Sequence, residues 1–253
     1  MKAQAGIKAD LPGRDWFSAW IRVAVRLLAT LLLWPVYLPR WAGDRVEPKD
    51  EGCILIANHH SILDPIFITF LYPSNRLSIV AKQELYRMKL IGRILKAFWS
   101  IPLDRSIADI RASKLILSQI KEGRIVGIFP EGTRISPRDA GRAELHSAIL
   151  IYSIRRGVPI MPVAIEPCYR LFGRPRYHFG QPARYMLKEG EALTKEQQEG
   201  LAREFMRQIY ATAGLPYDHP EAEQNRVLFE ERIRVLPVRD TLAVGRKKRK
   251  HGN

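Results

Sequence analysis

Between residues 53 and 179 the chain returns five times to a short, unbroken apolar run: 53–57 (CILIA), 77–81 (LSIVA), 125–129 (IVGIF), 160–165 (IMPVAI) and 177–179 (YHF). Runs this short are too brief for helices, and they lack the strict alternation of a half-exposed strand. They read as strands buried on both faces. A sheet buried on both faces must be covered by helices, and helical patterns lie between and after the runs, at 84–99, 106–122 and 195–212. Ser106 can cap the second, with Asp109 three residues on and Gly123 as its stop. Its Ile107, Ile110, Leu117 and Ile120 fall near one stripe. Leu201, Phe205, Met206 and Ile209 form the apolar face of the third. Alternation of this kind predicts an α/β fold with a largely parallel or mixed central sheet flanked by helices. Chemistry in such sheets collects beyond the strand ends.

Three segments are expected. Residues 1–42 form an N-terminal membrane-associated helical segment, 43–215 the main domain, and 216–253 a C-terminal extension with a basic tail. The apolar run from Trp16 to Leu38 contains Arg22 and Arg26, and its uncharged part is shorter than the roughly 20 residues of a spanning helix. The two arginines share a face. Val23, Leu27, Leu28, Leu31 and Leu32 lie opposite, so the run reads as a helix lying in a membrane interface, ended or bent by Pro35. No small-residue cleavage pattern follows it, so it is not expected to be a secretory signal. Residues 221–233 read as a separate exposed helix. The formal net charge of +15 favours an anionic partner. The sequence contains neither zinc-finger spacing nor an aromatic RNA-binding motif, so a lipid surface is expected rather than nucleic acid. Cys53 and Cys168, the only two cysteines, do not make a disulfide framework and fit a reducing compartment.

Two strand ends carry candidate chemistry. The run 53–57 continues as Asn58-His59-His60-Ser61-Ile62-Leu63-Asp64-Pro65, which sets a histidine near an aspartate that can orient it. The spacing leaves the choice of base open. Inside a regular helix His60 and Asp64 share a face, whereas His59 qualifies if it precedes the helix, with Ser61 as cap. Ser61-x-x-Asp64 can also be a capping box, a purely structural use of the aspartate. The run 125–129 continues as Phe129-Pro130-Glu131-Gly132-Thr133-Arg134. No metal-ligand spacing occurs, and His146, His178, His219 and His251 read as structural or surface residues.

The block 58–64 resembles the N-H-x-S-x-x-D motif of the glycerolipid acyltransferases, and 129–134 their F-P-E-G-T-R motif. Lys82-Gln83-Glu84-Leu85 resembles the K-x-E-L segment, Ile101–Arg105 (IPLDR) the segment ending in a functional arginine, and 158–163 (VPIMPV) the late V-P-I-x-P-V strand. Over about residues 43–213, in the family's motif order, the chain is similar to acyltransferases of the bacterial lysophosphatidic acid type. It departs from the pattern at Ile135, where a serine or threonine is common, and at Glu144–Ser147, where a lysine-glycine stretch is common.

The resemblance implies transfer of an acyl group from a thioester to the free hydroxyl of lysophosphatidic acid. His59 is then the base and Asp64 its orienting carboxylate. Arg105 and Arg134 are implied as phosphate clamps. Glu131, Gly132 and Thr133 shape the binding turn, Thr133 is a candidate donor to phosphate, Glu131 orients an arginine or a substrate hydroxyl, and Lys82 attracts the acyl donor. No cofactor is implied beyond acyl-CoA or acyl carrier protein as co-substrate. The implied partners are the lysophospholipid and a membrane surface of anionic phospholipid, on the cytoplasmic face of the cell membrane.

Overall fold

A computed structural model describes residues 16–104, 110–188 and 192–244. Arg105, the capped start at Ser106, and the basic run 246–250 lie outside the described residues. In chain order the elements are α1 (Trp16–Tyr37), β1 (Arg40–Ala42), β2 (Val46–Pro48), β3 (Cys53–Ala57), α2 (Asp64–Leu71), β4 (Leu77–Lys82), α3 (Lys89–Ala97), β5 (Ile101–Leu103), α4 (Ile110–Lys121), β6 (Ile125–Ile128), α5 (Ala148–Arg156), β7 (Ile160–Glu166), β8 (Arg176–Phe179), β9 (Ala183–Leu187), α6 (Lys195–Thr212), α7 (Ala222–Arg232), β10 (Ile233–Pro237) and β11 (Thr241–Ala243).

Among the described residues, β5, β4, β6, β3 and β7 lie side by side and parallel. β8 and β9 then pair antiparallel to β7, and β1 runs parallel to β8. The sheet is therefore mixed. β3 is buried at every residue because it sits at the centre. Its Ile54 and Ile56 point into a core built with α4, α5, α6 and α7. Its Cys53, Leu55 and Ala57 point into a second core, built with α2 and the end of α1. This double burial is the physical reason for the unbroken apolar runs.

Several boundaries differ from the sequence reading. The helix expected over 84–99 is two pieces, a 3₁₀ turn at Gln83–Arg87 and then α3, separated by extended backbone at Met88. Gly92 lets the pieces fold together: a Cβ there would lie 2.6 Å from the Tyr86 carbonyl oxygen. In α4 the buried positions include Ala112, Ile116 and Ile120, one residue out of phase with the expected Leu117. Helix α1 runs through Pro35 to Tyr37 and ends where Leu38 takes a left-handed φ of 45°. Its arginines face the domain rather than water. Arg22 donates to the Ala97 carbonyl at 2.8 Å and lies 4.0 Å over the Trp99 ring, and Arg26 lies over Phe98.

Residues 221–233 do not stand apart. Phe229 of α7 is buried in the same core as α6, and the chain continues directly into β10, which pairs with β9. An otherwise open sheet edge is thereby covered. β11 returns to pair with β2, near the start of the domain.

Candidate active site

The site forms where β3, β6 and β7 end together. The β3 backbone stops pairing at Ala57, and the buried Asn58 side chain supplies the next rung to β7. Its Nδ2 donates to the Ile165 carbonyl at 2.9 Å, and its Oδ1 accepts the Ile165 N–H at 2.7 Å. The chain then turns through 59–63 before α2 begins, with Pro65 in its first turn where no helical donor is lost.

That turn wraps around the carboxylate of Asp64, which is fully buried. Asp64 Oδ2 accepts the His60 and Ser61 backbone N–H groups, both at 2.7 Å, and lies 2.9 Å from His59 Nδ1. Asp64 Oδ1 accepts the Tyr169 hydroxyl. All four contacts are donors, which suits an ionised, acceptor-only carboxylate and offsets its burial. The Ser61 N–H bond is one half of the expected capping box. The other half is absent, because Ser61 Oγ takes the Leu63 N–H and the residue before the helix is Leu63. Asp64 therefore serves the histidine and the turn together.

With Nδ1–H given to Asp64, the His59 lone pair is on Nε2. No partner among the described residues takes that atom. The ring stacks on Phe129 with centroids 4.3 Å apart, and its side chain remains 12% exposed. It can receive a proton from outside. His60 cannot do so in this arrangement. Its Nδ1 donates to the Ile135 carbonyl at 2.7 Å, and its Nε2 accepts from Asn58 Nδ2 at 2.8 Å. Burial lowers its pKa, so it stays neutral and fully bonded. The geometry separates two histidines that spacing alone left open.

The turn after β6 reaches the same point. Ile135 N–H donates to the His59 carbonyl at 2.9 Å. Ile135 thus serves both histidines through its backbone alone, which explains why an apolar side chain is accommodated at that position. Gly132 has φ +65°, and a Cβ there would lie 2.4 Å from the His146 ring, so both conformation and space require glycine. Thr133 and Arg134 are exposed on this turn. Lys82, at the end of β4, is ion-paired with Glu84 at 3.0 Å on the surface. It stands two strand spacings, about 10 Å, from β3. β5 ends at Leu103, and Arg105 lies beyond the described residues.

Glu131 lies in the turn, with partners other than an arginine. It is buried, at 3% exposure. One carboxylate oxygen accepts the His59 N–H at 2.6 Å, and the other accepts the Tyr210 hydroxyl from α6. It fixes the backbone that carries the histidine instead of an arginine or a ligand. Burial pushes its pKa up to about 7, against the two hydrogen bonds that favour the anion. An unfolded glutamate titrates near 4.5. Between these values the folded state binds the extra proton, so this group's contribution to stability declines as pH rises from about 4.5 to 7. The change is on the order of 3 kcal/mol. Glu131→Gln is expected to flatten that slope, measured as urea unfolding free energies at pH 5 and pH 7.5.

Tyr169, Tyr177 and Tyr210 belong to the site but carry no local sequence signal. They are single aromatics far along the chain from what they meet: Tyr169 is 105 residues from Asp64, Tyr210 is 79 residues from Glu131, and Tyr177 joins through Tyr169.

The sequence profile of the family described as Acyltransferase matches residues 39–166, half of the chain. The chain belongs to the acyltransferase family. The matched span includes His59, Asp64 and the 129–134 turn, and it stops before Tyr169. Among its relatives in this family, a 1-acyl-sn-glycerol-3-phosphate acyltransferase of Streptococcus pneumoniae is 29% identical over 183 residues, covering 69% of this chain and 66% of that protein. The Bacillus subtilis protein of the same name is 36% identical over 89 residues, covering 35% of this chain and 45% of that protein. The chain thus spans less than two thirds of either. The crystal structure of a 1-acyl-sn-glycerophosphate acyltransferase from Thermotoga maritima superposes with a TM-score of 0.56 at 22% identity. It covers 79% of this acyltransferase and 83% of that chain. At that identity the likeness speaks for the fold.

Proposed function

We propose that this acyltransferase moves a fatty acyl group from a thioester donor to the free hydroxyl of lysophosphatidic acid, giving phosphatidic acid. The observation that carries the reading is His59: Nδ1 is fixed 2.9 Å from Asp64, and Nε2 is open beside the turn that presents Arg134. An alcohol becomes a competent nucleophile when a base takes its proton as it attacks. His59 Nε2 receives the proton of the acceptor hydroxyl while its oxygen bonds to the thioester carbonyl carbon. The tetrahedral adduct collapses by breaking the C–S bond, and the imidazolium returns the proton to the departing sulfur. Asp64 holds the imidazolium throughout. No acyl-enzyme forms. The donor is acyl-CoA or acyl carrier protein.

Arg134 is the proposed phosphate clamp, because a guanidinium grips phosphate through two parallel hydrogen bonds. Arg134→Ala is expected to raise KM for the phosphorylated acceptor about ten- to a hundredfold, with a smaller change in kcat. Steady-state kinetics with varied acceptor checks it, and an unaltered acceptor dependence refutes the clamp. Arg105 is proposed as the second clamp on the resemblance of its motif, and Lys82 as an outlying attraction for the donor.

The proposed working place is an anionic membrane surface on the cytoplasmic side. The residues 19–37 of α1 are long and apolar enough to cross a bilayer by length and composition. Arg22, however, ties the helix along the domain, which favours a helix lying on the surface. Trp20, Leu27, Leu28, Leu31 and Leu32 are left exposed. On the neighbouring α3, Lys89, Arg93 and Lys96 are exposed at helical spacing and suit anionic headgroups.

The deciding experiment is a panel of acceptors with purified protein: lysophosphatidic acid, glycerol 3-phosphate and a zwitterionic lysolipid, each with acyl-CoA and acyl carrier protein. Highest kcat/KM with lysophosphatidic acid is expected. Preference for an acceptor lacking the terminal phosphate overturns the assignment.

A further inference from the structure

We infer that Tyr169, backed by Tyr177, is a positioning residue that sets the basicity of His59 through Asp64. The inference rests on the reading of His59 and Asp64 as base and partner. It concerns a residue beyond the family's matched span, which ends at 166.

Tyr169 follows β7 and turns its hydroxyl onto Asp64 Oδ1, the oxygen that His59 does not use. Its own oxygen lies 2.8 Å from the Tyr177 hydroxyl. Because the Tyr169 proton goes to Asp64, the proton between the tyrosines must come from Tyr177. The order is Tyr177 to Tyr169 to Asp64, a chain of donors in which each bond polarises the next. Tyr177 is fully buried on β8. The Tyr169 ring is held in place by Phe67 of α2, parallel to it at 6.5 Å, and by Tyr37 at the end of α1, edge-on at 6.5 Å. The hydroxyl therefore has one place to go.

The consequence is electrostatic. Two backbone amides already anchor Oδ2, so the carboxylate would stay in position without Tyr169. Its charge distribution would change. A donor on Oδ1 draws charge away from the oxygen that faces the imidazole. Without it, a buried and unshared anion pulls harder on the imidazolium, which then keeps its proton to higher pH. The other titratable groups around the pair are committed elsewhere: His60 to Ile135 and Asn58, and Glu131 to Tyr210 and the His59 amide.

Tyr169→Phe keeps the ring and removes the hydroxyl. The expected result is a fall in kcat of about ten- to a hundredfold near neutral pH. KM for the acceptor changes by less than about twofold, and the acid limb of the pH–rate profile moves to higher pH. The His59 ring signals, followed by NMR in the full chain, should titrate at correspondingly higher pH. Tyr177→Phe leaves the bond to Asp64 in place and should move both readouts the same way by less. It decides the matter if the first variant unfolds. An unmoved titration in a folded variant overturns the inference, whether or not activity falls, since a packing role alone would lower activity without moving His59. The NMR readout also separates this from the substrate assignment. A shifted His59 in a protein that acylates none of the acceptors upholds the donor chain and sinks the proposed reaction.

Discussion

His59→Ala is expected to reduce acyl transfer by about 10²–10⁴-fold, the usual worth of a positioned general base, while the protein remains folded. The structure explains why the two effects separate. The imidazole is one of four donors on Asp64, and the other three survive its removal. The backbone of the turn stays tied by Glu131 to the His59 N–H and by Ile135 to the His59 carbonyl, neither of which involves the ring. The loss of packing is confined to the face of Phe129. Stability should therefore fall by about 1–2 kcal/mol, a shift of a few degrees in Tm for a chain of this size. His60→Ala is the necessary contrast. His60 fills two hydrogen bonds inside the turn and lies edge-on to Tyr210, so its loss should register mainly in stability. Thermal unfolding and kcat/KM of both variants, measured side by side, test the assignment. Activity within tenfold of the parent in His59→Ala, with a larger loss in His60→Ala, moves the base role to His60.

What the sequence made legible was set by whether a feature is local. The apolar runs located β3, β6 and β7 because burial on both faces leaves little room for polar residues, and they located β4 and β8, which are only partly buried. The short strands β1, β2 and β9 to β11 mix polar and apolar side chains, β5 is only three residues long, and their pairing depends on partners far along the chain. Helix α6 occupies the expected 195–212, with a Thr194–Gln197 capping box at its start and Gly214, at φ +67°, just beyond its end. The broken helix at Met88 depends on a contact between Gly92 and Tyr86 that no periodicity records. The same division runs through the site. The two motifs could be read from strand ends, but the spacing of five between His59 and Asp64 could not say that the turn wraps a carboxylate. Glu131 is legible as part of the turn, but its partners are not, because they are a backbone amide and a tyrosine on α6. Tyr169 and Tyr177 are illegible for the same reason: an isolated tyrosine beside an arginine resembles any other.

Asp64→Asn should cost about 10²–10⁴-fold in kcat/KM, through loss of charge rather than loss of geometry. The amide has one acceptor and one donor side. Three donors face the Oδ2 position, so the amide oxygen must sit there and the NH₂ must face Tyr169. Tyr169 can then accept from the amide and turn its own proton toward Tyr177. One buried tyrosine proton is left without an acceptor, at about 1–3 kcal/mol. Asp64→Ala would instead strand all four donors, and a collapse of the turn could not be told apart from a loss of catalysis. In the asparagine variant His59 still donates from Nδ1, so its tautomer is preserved. What disappears is the anion that stabilises the imidazolium formed as the acceptor loses its proton. With that anion gone the ring releases its proton more readily. The acid limb of the pH–rate profile should therefore move to lower pH while the maximal rate falls. Tyr169→Phe moves that limb the other way, because it leaves the anion present and less shared. Opposite displacements in two variants of one hydrogen-bond chain are hard to obtain from a general loosening of the fold. An acid limb that moves in neither variant would mean that Asp64 acts on His59 by position alone.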